Sequence, residues 1–196
     1  DALVDSPSDF SASENMDAYW LGTSYSVDAM EPVGIKGSVI YGELDANEDY
    51  LDRSGWYTDL AVNYKMEMMT PEVFGIYATG EDDDYSDGSE LMPTVYNDGV
   101  TGAYPSILVG DTTSMGIIGS GMCLMQSSPV GLWATGFTLK DIAITEKLSS
   151  TLMAAYYQGT SDEENAWMFD NAGDYYDARL TKEDAAYEIT MATSYS

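Results

Sequence analysis

Histidine is absent from the 196-residue chain, and cysteine occurs once, at Cys123. Without histidine the chain cannot form a Ser-His-Asp triad, a Cys-His dyad or a zinc site with imidazole ligands. A single cysteine forms neither a disulfide within the chain nor a CxxC site. These absences remove the commonest nucleophilic and zinc-dependent enzymes, and we expect no enzymatic activity.

Basic residues are also scarce. Lysine and arginine total 7 against 34 aspartates and glutamates, so the formal net charge is −27. Binding to a nucleic-acid backbone or to an anionic membrane surface needs clustered Lys and Arg, and we expect neither. Hydrophobic residues nevertheless make up 44% of the chain. That share is too high for an acidic disordered protein, so we expect a folded domain.

A membrane-spanning helix is not predicted either. The longest uncharged run, residues 112–139, is long enough to cross a bilayer. It contains five glycines, Pro129 and many small polar residues, which break helices or dilute their apolarity.

What the chain does have is alternation of apolar and polar residues. Trp56, Leu60, Val62 and Tyr64 alternate with polar neighbours such as Asp59, a pattern that predicts a strand with one apolar and one polar face. The same analysis predicts seven strands, over residues 17–29, 33–44, 54–66, 71–80, 129–140, 148–158 and 184–195.

The predicted connections alternate between short and long. Short links fall near 30–32, 67–70 and 141–147, and long ones near 45–53, 81–128 and 159–183. This layout is typical of an all-β, antiparallel, up-and-down transmembrane β-barrel, or a segment of one, spanning residues 1–196 as a single domain. A soluble β-sandwich or barrel also alternates and stays open on this pattern alone.

Charge placement favours the membrane barrel. Most acids lie in the first 16 residues and in the three long connections, and loop 81–128 is a candidate constriction. Aromatic residues near the strand ends suit an interfacial girdle. The polar strand faces predict a lumen lined by Lys36, Asp59, Asn63, Lys65 and Glu188, with Asp28, Glu72 and Lys140 on the same faces.

Three stretches resemble one porin family. They are Val73-Phe74-Gly75-Ile76-Tyr77-Ala78-Thr79-Gly80-Glu81-Asp82, Ala154-Ala155-Tyr156-Tyr157-Gln158-Gly159-Thr160-Ser161-Asp162 and Leu180-Thr181-Lys182-Glu183-Asp184-Ala185-Ala186-Tyr187-Glu188. With Gly88-Ser89-Glu90, Met92-Pro93 and Leu139-Lys140-Asp141-Ile142, they are similar to the outer-membrane homotrimeric porins of sulfate-reducing bacteria over roughly residues 55–196. Members of that family are longer, so the chain resembles an internal part of such a porin.

The resemblance implies a homotrimer in the outer membrane of a Gram-negative bacterium, in contact with outer-membrane lipid. Its function would be passive diffusion of small hydrophilic solutes and ions through a water-filled channel, without a cofactor. The alternative is a secreted acidic β-protein, stabilised by calcium, that assembles into a surface layer or fibre.

Calcium is the one ion that the acids suggest. The densest acidic cluster is Glu81-Asp82-Asp83-Asp84 with Asp87. Because calcium takes several carboxylate oxygens, Asp82, Asp83, Asp84 and Asp87 are its candidate ligands. The spacing does not match an EF-hand loop, and a solvated acidic loop stays an open alternative.

Overall fold

The computed structural model describes residues 16–47, 52–84, 88–93, 131–163 and 180–195. In these residues the chain forms one sheet of seven antiparallel strands in sequence order. The strands are β1 (Asp17–Met30), β2 (Val33–Asp45), β3 (Arg53–Tyr64), β4 (Thr70–Ala78), β5 (Leu132–Thr145), β6 (Leu148–Gly159) and β7 (Ala185–Tyr195).

The predicted up-and-down order is therefore confirmed, and the strand bounds differ from the prediction by a few residues. The largest difference is in β5, which continues to Thr145 where the sequence predicts a link over 141–147. The register between β5 and β6 shifts between Leu139 and Ile142, and Asp141 has a positive φ of 55°. This bulge accommodates the register shift around Asp141, so β5 continues past it.

Cross-strand register assigns every strand residue to one of two faces, because directly opposed residues point the same way. The aromatic face carries Tyr41, Trp56, Val62, Val73 and their partners. The charged face carries the alternate residues. Two of its rows are Gly34–Asn63–Glu72–Thr138–Met153–Thr190 and Ser38–Asp59–Ile76–Ala134–Tyr157–Ala186.

The charged face also holds the core, which the sequence did not predict. Around Phe74 lies a cluster of buried side chains on β3 to β6: Ala61, Ile76, Leu132, Ala134, Met153, Ala155 and Tyr157. The Phe74 ring lies across Gly136, where a Cβ would come within 2.5 Å of the ring. The missing side chain of Gly136 thus makes room for the aromatic ring between β4 and β6.

The two ends of the sheet differ. At the turn end, β1 joins β2, β3 joins β4 and β5 joins β6 through short links. At the loop end lie the other three connections. Ser89, between β4 and β5, forms a parallel bridge with Arg53 of β3, and Ser161 and Thr181 form a parallel bridge within the connection between β6 and β7. Of the predicted constriction loop 81–128, the structure describes residues 81–84 and 88–93.

The sheet is open in the described residues, because β1 and β7 each pair with one neighbour. None of the described segments contains a helix with the length and apolarity needed to cross a membrane.

Candidate pore-lining face

A buried carboxylate lies between two lysines on the charged face. Only 1% of the Glu72 side chain is exposed. The Nζ of Lys140 lies 2.5 Å from one of its carboxylate oxygens, and the Nζ of Lys36 lies 3.5 Å from the other. Lys140 comes from the neighbouring strand β5, whereas Lys36 reaches from β2 across β3. The two ion pairs offset the desolvation of the carboxylate.

Two more buried polar groups flank Glu72 in the sheet. Asn63 on β3 and Thr138 on β5 are its direct cross-strand neighbours. The Asn63 Oδ1 and Thr138 Oγ1 atoms are buried and have no hydrogen-bond partner within the described residues. Buried polar atoms are normally satisfied by protein groups or ordered water. We therefore expect ordered water beside Glu72.

The carboxylate of Asp59 lies on the same face, towards the loop end. Ser38, its direct partner on β2, donates a hydrogen bond from its hydroxyl to Oδ1 of Asp59. This contact holds the carboxylate against the sheet between β2 and β3.

Glu188 on β7 is the third acid of the charged face. The Tyr157 hydroxyl donates to its Oε2 at 2.8 Å, and the Thr190 hydroxyl donates to its Oε1 at 2.5 Å. Both carboxylate oxygens thus accept hydroxyl groups, and the residue is buried. Hydrogen bonds of this kind partly replace the hydration that the carboxylate loses on burial.

Lys65 lies apart from the others. It follows the last residue of β3 and its Nζ lies 3.7 Å from Asp28 and 3.8 Å from Glu31 at the turn end. All three side chains are more than half exposed. The structure therefore brings Lys36, Asp59, Asn63 and Glu188 onto one face of the sheet and leaves Lys65 at its rim. The pore-lining role of all five residues stays a prediction.

The aromatic face presents its rings in a row near the loop end. Ring centroids lie 4.8 Å apart for Tyr41 and Trp56, and 5.2 Å apart for Trp133 and Tyr156. Tyr187 continues the row at 5.2 Å from Tyr156. The rings of Trp20, Tyr57 and Tyr157 lie outside this row, because their register places them on the charged face.

Glu81 connects three segments at the loop end. Its backbone N–H donates to the Ser161 hydroxyl, its carbonyl accepts from the Asp162 N–H, and the Ser89 hydroxyl donates to its carboxylate. Burial raises the pKa of the Glu81 carboxyl, with a smaller rise from Glu90, while the Ser89 hydrogen bond and Arg53 oppose these effects. In the sequence Glu81 is one member of the acidic cluster, and its burial could not be recognised there.

Neighbours of Glu81 in the acidic run take part in short-range hydrogen bonds. The Asp82 carboxylate accepts the N–H of Asp84 at 2.7 Å, and the Glu90 carboxylate accepts the N–H of Asp82 at 3.1 Å. Asp87 lies outside the described residues. Within the described ranges no three acids are placed to share a metal ion. The predicted calcium site over Asp82, Asp83, Asp84 and Asp87 stays a prediction.

Comparison of the chain with protein-family models, with curated proteins and with solved structures finds no match.

Proposed function

We propose that the chain forms part of the wall of a porin, a water-filled channel for passive diffusion of small hydrophilic solutes and ions across the outer membrane of a Gram-negative bacterium. The observation that carries the proposal is the exposed aromatic face. Large apolar side chains on every strand from β1 to β7 are exposed there, up to 82% for Ile189. A face of this extent needs lipid or another apolar surface against it.

The dimensions of that face suit a bilayer. Trp56 and Tyr64 lie on the same face of β3, eight residues apart, which corresponds to about 26 Å along the strand. Leu60 and Val62 lie between them and are exposed. An apolar band roughly 25 Å tall, bordered by aromatic residues, is typical of the lipid-facing surface of outer-membrane barrels.

The opposite face suits a lumen. Lys36, Asp59, Glu72 and Lys140 lie on it together with Asn63 and Ser38. Their charges are arranged as ion pairs and hydrogen bonds within the sheet. A wall of this kind tolerates water and presents nearly balanced charge to a passing solute.

The open edges require further strands in a membrane. A lipid-exposed edge would leave backbone N–H and C=O groups without partners, so the proposed barrel must close. In an antiparallel sheet of seven strands, β1 and β7 run in the same direction. Pairing them with each other would create a parallel seam, whereas an odd number of additional strands closes the barrel with antiparallel pairs throughout. The resemblance to a longer porin family agrees with closure by additional strands. It also suggests a homotrimer.

Planar lipid bilayers test the function. The protein purified together with the strands that close its barrel, and added in detergent, should produce stepwise conductance whose size scales with salt concentration. The chain should also need detergent to stay in solution. A chain that is soluble without detergent and assembles when calcium is added would instead support the surface-layer or fibre alternative.

Tryptophan quenching tests the membrane orientation directly. Trp56 lies on the aromatic face and Trp20 on the charged face. In lipid vesicles, brominated acyl chains should quench Trp56 more strongly than Trp20, measured in variants that retain one of these two tryptophans on an otherwise tryptophan-free background. Equal quenching of the two residues would contradict the orientation.

A further inference from the structure

Residues 88–93, here termed the collar segment, fold back against the charged face at the loop end. Gly42 and Gly55 are direct cross-strand partners beneath it. A Cβ at Gly55 would lie 2.5 Å from the carbonyl oxygen of Glu90, and one at Gly42 would lie 2.7 Å from the Trp20 indole and 3.1 Å from Cδ of Pro93. The two facing glycines therefore leave the space that the collar segment occupies.

The collar segment is attached at both ends. The Ser54 N–H donates to the Ser89 carbonyl at 2.8 Å, and the Trp20 indole N–H donates to the Pro93 carbonyl at 2.8 Å. Between these points the Thr79 hydroxyl donates to the carbonyl of Glu90 at 2.6 Å. The side chain of Leu91 is buried as a result, with 2% of the residue exposed.

A second segment, residues 180–184, also lies against the charged face, but over β6 rather than over β2 and β3. A Cβ at Gly159 would overlap the carbonyl group of Leu180. The Lys182 N–H donates to the carbonyl of Ser161 at 2.8 Å, and Leu180 packs against the apolar cluster around Phe74. Both segments thus project over the charged face at the loop end.

We propose that residues 88–93 and 180–184 together form an inner collar that sets the size limit for solutes entering the channel, with Trp20 as a positioning residue. The proposal rests on the porin function above and specifies where that channel is narrowest. It assigns the restriction to two segments docked on glycines at the loop end of the strands, rather than to loop 81–128 as a whole.

Thiol labelling tests the docking without any need for a channel. In a Cys123→Ser background, Leu91→Cys should react slowly with a water-soluble maleimide because the position is buried. Adding Trp20→Phe removes the hydrogen bond from the indole N–H to the Pro93 carbonyl. The labelling rate should then rise about fivefold, the change expected when one hydrogen bond that holds a segment in place is lost. Gly55→Ala should raise it further, because the added methyl group displaces the segment.

Gly75→Ala is the matched control. It also adds one methyl group to a strand glycine, but the nearest atom is 3.8 Å away. It should therefore label like the parent. Equal labelling rates in all four proteins would overturn the docked collar.

Polymer exclusion in planar bilayers tests the size limit. Trp20→Phe and Gly55→Ala should admit larger neutral polyethylene glycols than the parent and conduct more current per channel, while Gly75→Ala matches the parent. An unchanged exclusion limit in variants that label faster would overturn the collar as the restriction. If the protein forms no channel even with the strands that close its barrel, the porin function is overturned instead, and the labelling result still decides the docking.

Discussion

The two faces of the sheet reverse the arrangement found in water-soluble β-proteins. On the aromatic face Tyr187 and Ile189 are 79% and 82% exposed, whereas on the charged face the carboxylate-bearing Glu72 is 2% exposed. Apolar residues normally take the covered positions and ionised ones the exposed positions. The proposed lipid contact would explain this arrangement, because lipid against the aromatic face would remove its unfavourable contact with water.

The charged face itself divides into two halves. Its β2 and β3 residues are mainly polar, with Lys36, Asp59 and Asn63, whereas its β4 to β6 residues are mainly apolar, with Phe74 and Met153. Glu72 lies where the halves meet and is paired with lysines from both sides, Lys36 on β2 and Lys140 on β5. These ion pairs therefore connect the polar half to the apolar half.

The largest effect should come from a charged residue placed among the apolar side chains of the aromatic face. Leu60→Lys should lower the free energy of unfolding by about 2–4 kcal/mol in a bilayer, because a lysine near the membrane midplane is desolvated. Ser54→Lys, on the same face of β3 beyond the aromatic row, should lower it by no more than about 1 kcal/mol. Urea titration of the protein in lipid vesicles measures both values.

If water covered the aromatic face, lysine at position 60 would change the free energy of unfolding as little as lysine at position 54. Exposed surface substitutions usually change stability by less than about 0.5 kcal/mol, so similar small effects at positions 54 and 60 would contradict a lipid-facing surface.

The next largest effect should come from the ion pairs on the charged face. Lys140→Met leaves the buried Glu72 carboxylate without its nearest cation, and we expect a loss of about 1–3 kcal/mol in unfolding free energy. Lys65→Met breaks only exposed contacts to Asp28 and Glu31 and should cost no more than about 1 kcal/mol. Denaturant unfolding of the two variants at neutral pH compares them. A larger loss for Lys65→Met would show that the exposed turn end contributes more than the buried Glu72.

Two acids at the loop end should shift stability with pH in opposite directions. Burial raises the pKa of Glu81, so its contribution to stability is present below the unfolded pKa and is lost as pH rises through the folded pKa. Hydrogen bonds from the Thr181 N–H and hydroxyl lower the pKa of Asp184, so its contribution is present above the unfolded pKa and is lost as pH falls through the folded pKa.

Thermal unfolding as a function of pH measures both. Glu81→Gln should be more stable than the parent at neutral pH and equal to it in acid. Asp184→Asn should be less stable than the parent at neutral pH, with the difference disappearing in acid. A Glu81→Gln variant that loses stability at neutral pH would mean that the Ser89 hydrogen bond outweighs the desolvation of the carboxylate.

The smallest expected effect is on ion selectivity. Although the chain carries −27, the charged face pairs Glu72 with Lys36 and Lys140, and Glu188 is covered by hydroxyl groups. Charges in exposed loops are screened beyond about 8 Å at physiological salt. We expect weak cation selectivity that increases at low salt, measured as reversal potentials across a salt gradient. Anion selectivity would contradict the assignment of faces.

The sequence predicted the strands best where alternation is strict. In β3, Leu60 and Val62 alternate with Asp59 and Asn63, and both faces could be assigned correctly from this pattern. In β4 to β6 the alternation is weaker because apolar residues occupy both faces, as Val73 and Phe74 illustrate. The apolar cluster on the charged face could not be predicted for that reason.

Pairings between distant strands were beyond sequence analysis. Glu72 and Lys140 could both be assigned to polar strand faces, but only the register of β4 and β5 brings them to 2.5 Å. The same holds for the collar segment, because nothing local to residues 88–93 indicates that Gly42 and Gly55 leave space for it.

The sequence alone determined the strand order, the short turns, the acidic connections and the two faces of the best strands, because each depends on residues close together in the chain. The tertiary structure decided which charges meet, which acid is buried and where the connections fold back onto the sheet. Those features depend on contacts between residues far apart in the chain, such as Trp20 and Pro93, 73 residues apart, and Glu81 and Ser161, 80 residues apart. Local alternation assigns a side chain to a face of the sheet, but register determines its neighbours.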